Sequence, residues 1–277
     1  MNGAEKKAVY AVQQTLYIPL WGRKISAEKY PKLFPDMDAA RIVKELGLNI
    51  PCKRIYLFQY GYLNYLIRQY DMACEINRYI KKYPNAAIVE LGAGLSCLRR
   101  QMKSEKNPWY CLDMESVVML RKKHIPKGKN EKNIACDLND FSWFDMIDHE
   151  PNDGIIFIAG GLFCYLENRR VQSMLREMAE RFGGGVIAFD ALNKIGMKAV
   201  NYELERSGIK AKARFSLENP KRELESISEK IVNVSEKPYM DGYLKGGYRK
   251  TLLTKLICAC FKHFHISFIV HAEFKSK

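Results

Sequence analysis

Over the first 84 residues the apolar positions recur at helical spacing, with a short amphipathic stretch at 39–46 and a long one at 56–83 that Pro84 ends. Beyond Pro84 the period changes. Short β-branched or aromatic runs at 86–91, 109–113, 133–137, 154–159 and 185–190 alternate with helical patterns at 96–103, 115–124 and 168–182. That alternation predicts an open, mostly parallel sheet wrapped by helices. After Asp190 the order is less regular: a helix near 194–207, a charged stretch at 220–230, a strand at 230–235, a Gly-rich turn at 242–247, a helix at 248–263 and a last strand at 266–274. No internal repeat and no Pro/Gly/Ser-rich joint marks a boundary, so the chain reads as one α/β domain over 1–277. Its parts are a helical N-terminal cap (1–84), a core (85–193) and a C-terminal part (194–277) that shapes a pocket and completes the sheet.

Composition narrows the class. With 277 residues, 47% hydrophobic and 27% charged, the chain is globular rather than fibrous or disordered. Lys6 and Lys7 precede an apolar stretch that Gln13, Gln14 and Arg23 interrupt, so no secretion signal is expected. The most apolar tract, 252–274, is broken by Lys255, Lys262, His263, His265 and His271, so no membrane span is expected either. Eight scattered cysteines, several inside apolar runs, suit a reducing cytoplasm better than a disulfide framework. The net charge of +14 raises nucleic acid or an anionic small molecule as a partner.

Candidate chemistry gathers at strand ends. Asp113, Asp137 and Asp190 each close a predicted strand and a fourth strand runs into Gly160-Gly161, at the sheet edge where open parallel sheets bind ligands. The first strand ends in Val89-Glu90-Leu91-Gly92-Ala93-Gly94-Leu95, an acid followed by Gly-x-Gly at a strand-to-helix turn. Glycine suits that turn because a side chain would hold a ligand away from the backbone. Asp113 lies 21 residues after Gly92, where a ribose-binding carboxylate is expected. The third glycine of a dinucleotide fingerprint is replaced by Cys97, which disfavours a pyrophosphate. S-adenosylmethionine carries none, and Glu90 beside the turn with Asp137 toward an adenine amino group fits it better.

These residues, together with Thr15-Leu16-Tyr17-Ile18-Pro19-Leu20-Trp21-Gly22-Arg23, Ile67-Arg68-Gln69-Tyr70-Asp71, Phe141-Ser142-Trp143 and Gly161-Leu162-Phe163-Cys164-Tyr165-Leu166, stand in an order that resembles the leucine carboxyl methyltransferase-like family. The nearest likeness is to its bacterial branch, which includes O-methyltransferases of polyketide biosynthesis, and it covers about residues 10–200 well. The resemblance implies a Rossmann-like class I methyltransferase sheet, mostly parallel with an antiparallel C-terminal strand, under a helical N-terminal cap. It implies S-adenosylmethionine as cofactor and a carboxylate or hydroxyl of a small molecule as acceptor. It places Arg68 on the methionine carboxylate, a bidentate role that suits a planar guanidinium. Glu90, Gly92, Ala93 and Gly94 would underlie the same moiety, Asp113 and Met114 would meet the ribose, and Asp137 and Leu138 the adenine. Ala159, Gly160 and Gly161 would line the cofactor, and Tyr165 would stand near the methyl-transfer centre. Two positions depart from the family: Ser96 where it often has Asp, and Gly160 where it often has Glu. They motivate a second reading, a module that binds S-adenosylmethionine without turnover.

Other features read more plainly. A hydroxyl acceptor needs a base, for which Tyr165 and Asp190 are the candidates. Cys258, Cys260, His263 and His265 match no common zinc spacing, so they read as apolar packing with a basic rim and no metal is expected. His124 and His149, in charged surroundings, read as surface residues. The basic run 121–129 reads as a solvated face, because no aromatic residues interleave it for base stacking, and an RNA methyltransferase is the third reading.

Overall fold

Seven strands form a single sheet in the order β3-β2-β1-β4-β5-β7-β6. They are β1 (Ala87–Leu91), β2 (Trp109–Asp113), β3 (Glu131–Ala135), β4 (Ile155–Ala159), β5 (Val186–Leu192), β6 (Ile231–Pro238) and β7 (Ser267–Phe274). The computed structural model describes residues 3–32, 36–48, 59–102, 104–206, 209–239 and 251–276, with side chains from 16 onward except that of residue 59. The predicted turn at 242–247, and the starts predicted at 56 and 248 for two helices, lie outside the described residues. β1 pairs in parallel with β2 and β4, β2 with β3, and β4 with β5, while β7 runs antiparallel to both β5 and β6. The mostly parallel sheet with one antiparallel C-terminal strand is therefore as expected.

The central strands are buried along their whole length because helices cover both faces. Alternation sends Val89, Leu91, Phe157 and Phe189 to one face, against Trp143 and the helix α6 (Asn168–Arg181). It sends Ile88, Ile156 and Ile158 to the other, against Leu66, Met72 and Ile76 of the long helix α3 (Gln59–Lys82). The cap adds α1 (Gly3–Lys29) and α2 (Met37–Glu45), the latter started by Asp36, whose carboxylate accepts from Ala39 N at 3.1 Å. The remaining helices are α4 (Leu98–Met102), α5 (Glu115–His124), α7 (Lys194–Arg206), α8 (Pro220–Glu225) and α9 (Leu252–His263).

Several boundaries differ from the sequence reading. β3 begins and ends two residues earlier than expected, because Asp137 opens a turn in which its carboxylate accepts from Asn139 N at 2.9 Å and its carbonyl from Asp140 N at 3.0 Å. The charged stretch after Asn219 holds the short helix α8, which Asn219 caps by accepting from Arg222 N at 3.0 Å. His124 is buried rather than on the surface, its Nδ1 2.8 Å from Glu45 Oε2, and it joins α5 to the cap. His149 is half-buried, 5.5 Å from the Phe182 ring. Cys258 turns into the cap core beside Tyr62 and Ile67 while Cys260 is exposed, so the two thiols face different sides of α9. No group of three or more His, Cys, Asp or Glu that could hold a metal occurs among the described residues. None of the described helices is long and apolar enough to cross a membrane.

A buried carboxylate ties α3 to the far edge of the sheet. Glu75 meets His271 Nδ1 at 3.2 Å, Lys237 Nζ at 2.5 Å and Arg78 Nη1 at 3.0 Å. Burial works against its charge, and the hydrogen bonds from His271 and Lys237 with the charges of Lys237 and Arg78 outweigh it, lowering its pKa from 4.5 to about 2. A carboxyl with a lowered folded-state pKa contributes stability above its unfolded value and loses it as the pH falls through the folded one. Between pH 4.5 and about 2 the protein should therefore lose on the order of 2–3 kcal/mol from this site. Urea melts of the wild type and Glu75→Gln across that range check it; equal acid sensitivity in the two proteins counts against the assignment.

Candidate functional site

A cavity of about 760 Å³ opens at the carboxyl ends of β1, β4 and β5, between the sheet and the cap. Its floor is the turn after β1. Gly92 and Gly94 hold φ of +61° and +51°, which L side chains rarely adopt, and a Cβ on Gly92 would lie 2.7 Å from Leu162 Cδ1. The turn thus brings main chain close to the space above it.

Two buried arginines hold that turn, Arg121 from behind and Arg23 from the cavity side. Arg121 of α5 donates from Nη1 to the carbonyls of Gly94 (2.8 Å) and Ser96 (2.9 Å), and from Nε to Asn133 Oδ1 (2.9 Å). Its Nη2 reaches Cys111 Sγ at 3.0 Å and Glu131 Oε1 at 3.4 Å. Arg23 of α1 donates to the carbonyl between them, that of Leu95, at 2.8 Å, and pairs with Asp36 at 3.0 Å. Three successive carbonyls are thereby fixed by guanidinium groups from two different helices. Arg121 is 2% exposed, so the sequence reading of residues 121–129 as a solvated run does not hold at its first position. The signal was available in hindsight: on α5, Arg121 falls on the same face as the buried Val117 and Val118, at helical spacing.

Glu90 lies just behind the turn. Trp109 Nε1 donates to its carboxylate at 2.7 Å. Burial raises its pKa, although Arg121, Ser96 and Trp109 each favour the charged form. Ser96 Oγ accepts from the first amide of α4, Leu98 N, at 3.2 Å and from the Gln69 amide at 3.5 Å. Gln69 lines the cavity, and its Oε1 is buried with no hydrogen-bond partner among the described residues.

Across the opening stands Arg68 of α3. Its Nη1 is 3.4 Å from Asp190 Oδ2, while Asp190 Oδ1 accepts from Gly161 N at 2.5 Å. The guanidinium also lies 5.6 Å from the centre of the Tyr65 ring. Gly161 has φ +73°, and a Cβ there would lie 2.5 Å from Arg68 Nη1, so the arginine rests on bare main chain. At Gly160 a Cβ would meet Arg68 and Met72 at 3.9 Å, ordinary van der Waals contact, so a small side chain would fit beside the arginine.

The other sequence candidates fall into two groups. Tyr165 lines the cavity with Tyr65, Cys164 and Tyr239. Burial lifts the hydroxyls of Tyr65, Tyr165 and Tyr239 above the usual tyrosine range and the Cys164 thiol to about 12. These groups stay protonated at neutral pH, so they can donate a hydrogen bond but cannot take up a proton as a base, which leaves Asp190 as the better placed of the two base candidates. Asp113, Met114, Asp137, Leu138 and Ala159 are not part of the cavity wall. Asp113 is buried beneath the turn, accepting from Gly94 N (2.7 Å) and Met114 N (2.8 Å), and burial raises its pKa despite those bonds. Asp137 is exposed in the loop beyond β3, and Leu138 packs against the core. The Ala159 methyl points to the opposite face of β4 from Ile158, which does line the cavity, so only its main chain can face a ligand there.

A sheet of this order, with a glycine turn after its first strand and a capped cavity at its carboxyl edge, is the class I methyltransferase fold. No protein-family model matches the chain. Among curated proteins it is similar to the S-adenosyl-L-methionine-dependent methyltransferase dpfgK of Gibberella zeae, with 24% identity over 215 residues, 71% of this chain and 72% of that one. It is also similar to the tetracenomycin polyketide synthesis O-methyltransferase TcmP of Streptomyces glaucescens, with 22% identity over 216 residues and 78% of each chain. A solved structure described as a candidate methyltransferase from Thermobifida fusca superposes with a TM-score of 0.55 at 12% identity, covering 87% of this chain and 88% of that one. That last likeness is one of fold.

Proposed function

We propose that this chain is an S-adenosylmethionine-dependent O-methyltransferase acting on a small molecule. The observation that carries the reading is the cavity: a glycine turn braced by two buried arginines, faced by a third guanidinium from α3, in a chain whose curated relatives are S-adenosylmethionine-dependent methyltransferases. The residues suit the cofactor's methionine end. Arg68 would pair with its carboxylate, and the unpartnered Gln69 Oε1 would accept from its ammonium group. Gly92, Ala93 and Gly94 would lie beneath it, with Glu90 behind and Gly160 and Gly161 at its side. Asp113, through the lone pairs its backbone amides leave free, and Met114 would meet the ribose; Asp137, Leu138 and the Ala159 main chain would border the adenine.

When bound, the cofactor supplies a methyl group already activated on a sulfonium. What the protein has to add is alignment of the acceptor oxygen and exclusion of water, effects worth roughly 7–11 kcal/mol in well-oriented systems. Tyr165 would donate a hydrogen bond that orients the acceptor. The finer likeness, to the leucine carboxyl methyltransferase family and its polyketide enzymes, is supported by the motif order and by the polyketide-synthesis role of the Streptomyces relative. Thiols such as those of Cys97 and Cys111, buried as small hydrophobic groups, suit a reducing cytoplasm.

Calorimetry with S-adenosylmethionine, followed by release of S-adenosylhomocysteine over a panel of small hydroxyl and carboxyl compounds, tests the reading. Binding with turnover is expected. Absence of cofactor binding sinks it, and tight binding without turnover across the panel would favour a binding module instead. Steeply salt-dependent RNA binding would favour the RNA methyltransferase.

A further inference from the structure

The helix α9 has two apolar sides, and the fold uses one of them. Thr254 and Cys258 are buried, and Ile257 and Phe261 line the cavity. Around the opposite side Leu252, Leu256 and Cys260 follow one another at four-residue spacing, with Leu253 beside them and Phe264 four residues further on at the C-terminal cap. Leu252 is 73% exposed, and Leu256 and Phe264 are 55% exposed. Asn193, just before α7, donates from its side chain to the Phe264 carbonyl at 3.0 Å, which brings the start of α7 and its exposed Ile195 to the end of this stripe. Apolar residues exposed singly need no explanation, but a row of them along one helix does.

The charge along the stripe is of one sign. Lys255 and Lys262 fall on one flank of it and are exposed, as are Lys194 and Lys198 of α7. Between Asp241 and Glu273 the sequence holds five Lys or Arg and no acidic residue. Two acids that come near its end are engaged: Glu218 accepts from Lys194 N at 2.7 Å, and Glu236 meets His265 Nε2 at 3.0 Å. The exposed acids of α7, Glu203 and Glu205, lie in its last turn, away from the start that meets Phe264. Leucines and a phenylalanine edged by lysines match the interface of a bilayer with anionic head groups, where apolar side chains enter the acyl boundary and ammonium groups snorkel to the phosphates. A second copy of the chain fits less well. An isologous contact would set the lysines of two α9 helices against each other, and neither helix carries a carboxylate to pair with them.

We propose that this side of α9, with the start of α7, docks the protein on a membrane surface that carries anionic phospholipids, without spanning it. α9 would lie in the plane of the interface, with Leu252, Leu256 and Phe264 entering the acyl boundary and Lys255 and Lys262 reaching the head-group phosphates. Ile257 and Phe261 would then form a cavity wall about 10 Å, one helix diameter, from the lipid. Such docking goes beyond the methyltransferase reading and does not depend on it.

The test is cosedimentation of the full chain with vesicles of phosphatidylcholine alone and of phosphatidylcholine with about 30% phosphatidylserine, in about 0.1 M salt. The mixed vesicles should bind at least about tenfold more tightly than the neutral ones. Leu252→Gln with Leu256→Gln should weaken that binding by about tenfold or more, and so should Lys255→Gln with Lys262→Gln. All four positions are exposed, so melting temperatures matching the wild type are expected and show the variants to be folded. No cofactor enters the assay, so its outcome is separate from whether S-adenosylmethionine binds. Absence of binding to the mixed vesicles, equal binding to both kinds, or binding unmoved by the leucine pair overturns the proposal. A dimer in sedimentation velocity that the leucine pair dissociates overturns it as well, and assigns the stripe to a second copy of the chain.

Discussion

Replacing Arg121 by Met should lower stability by about 3–5 kcal/mol, the usual cost of removing one member of a buried charged cluster. The loss has identifiable parts. Glu131 would lose its guanidinium partner at 3.4 Å, Glu90 a nearby positive charge, and the carbonyls of Gly94 and Ser96 their donors. For a chain of this size, that corresponds to a fall in melting temperature on the order of 10 °C. Arg121→Lys separates charge from geometry, because an ammonium keeps the charge near Glu131 but cannot span two carbonyls, an amide oxygen and a carboxylate. It should regain part of the stability and still bind S-adenosylmethionine more weakly than the wild type. Scanning calorimetry with cofactor titration checks both; a melting temperature of Arg121→Met within about 2 °C of the wild type would show that the turn does not depend on this strut.

The second large effect is expected at Arg68. Arg68→Ala should weaken S-adenosylmethionine by about 1.5–3 kcal/mol, roughly 10- to 150-fold in Kd, through loss of a charge-assisted pair. Stability should change far less, since Asp190 keeps the bond from Gly161 N and the Arg68 side chain is 17% exposed. Arg68→Lys should recover little, because the fork geometry is lost even though the charge is kept. The check is a cofactor titration of the three proteins; an unchanged Kd in Arg68→Ala would remove this residue from the site.

The two arginines differ in how far they could be read beforehand. Arg68 sits in a motif whose neighbours, Gln69 to Asp71, resemble a family pattern, so its place in the site was legible. Arg121 opens a run of basic residues and has the local appearance of a solvated one; what buries it is the glycine turn, 27 residues away at Gly94. Arg23 is similar, reaching the Leu95 carbonyl over a separation of 72 residues. His124 misled for the same reason, since its partner Glu45 belongs to the cap. Asp137 shows the complementary limit. Its residue type and order were legible, but the two-residue shift of β3 moved it from a strand end into an exposed turn.

Taken alone, the amino-acid order determined the alternation of strands and helices, the glycine turn after the first strand and the acids that follow its neighbours. Each depends on periodicity or turn chemistry within a few residues, which is why no partner was needed to see it. The tertiary structure decided which charges are buried, which carbonyls they hold, which amide oxygen is left without a partner, and which side of α9 is left exposed. A charge is desolvated or neutralised by whatever the fold sets against it, and here those groups come from distant parts of the chain.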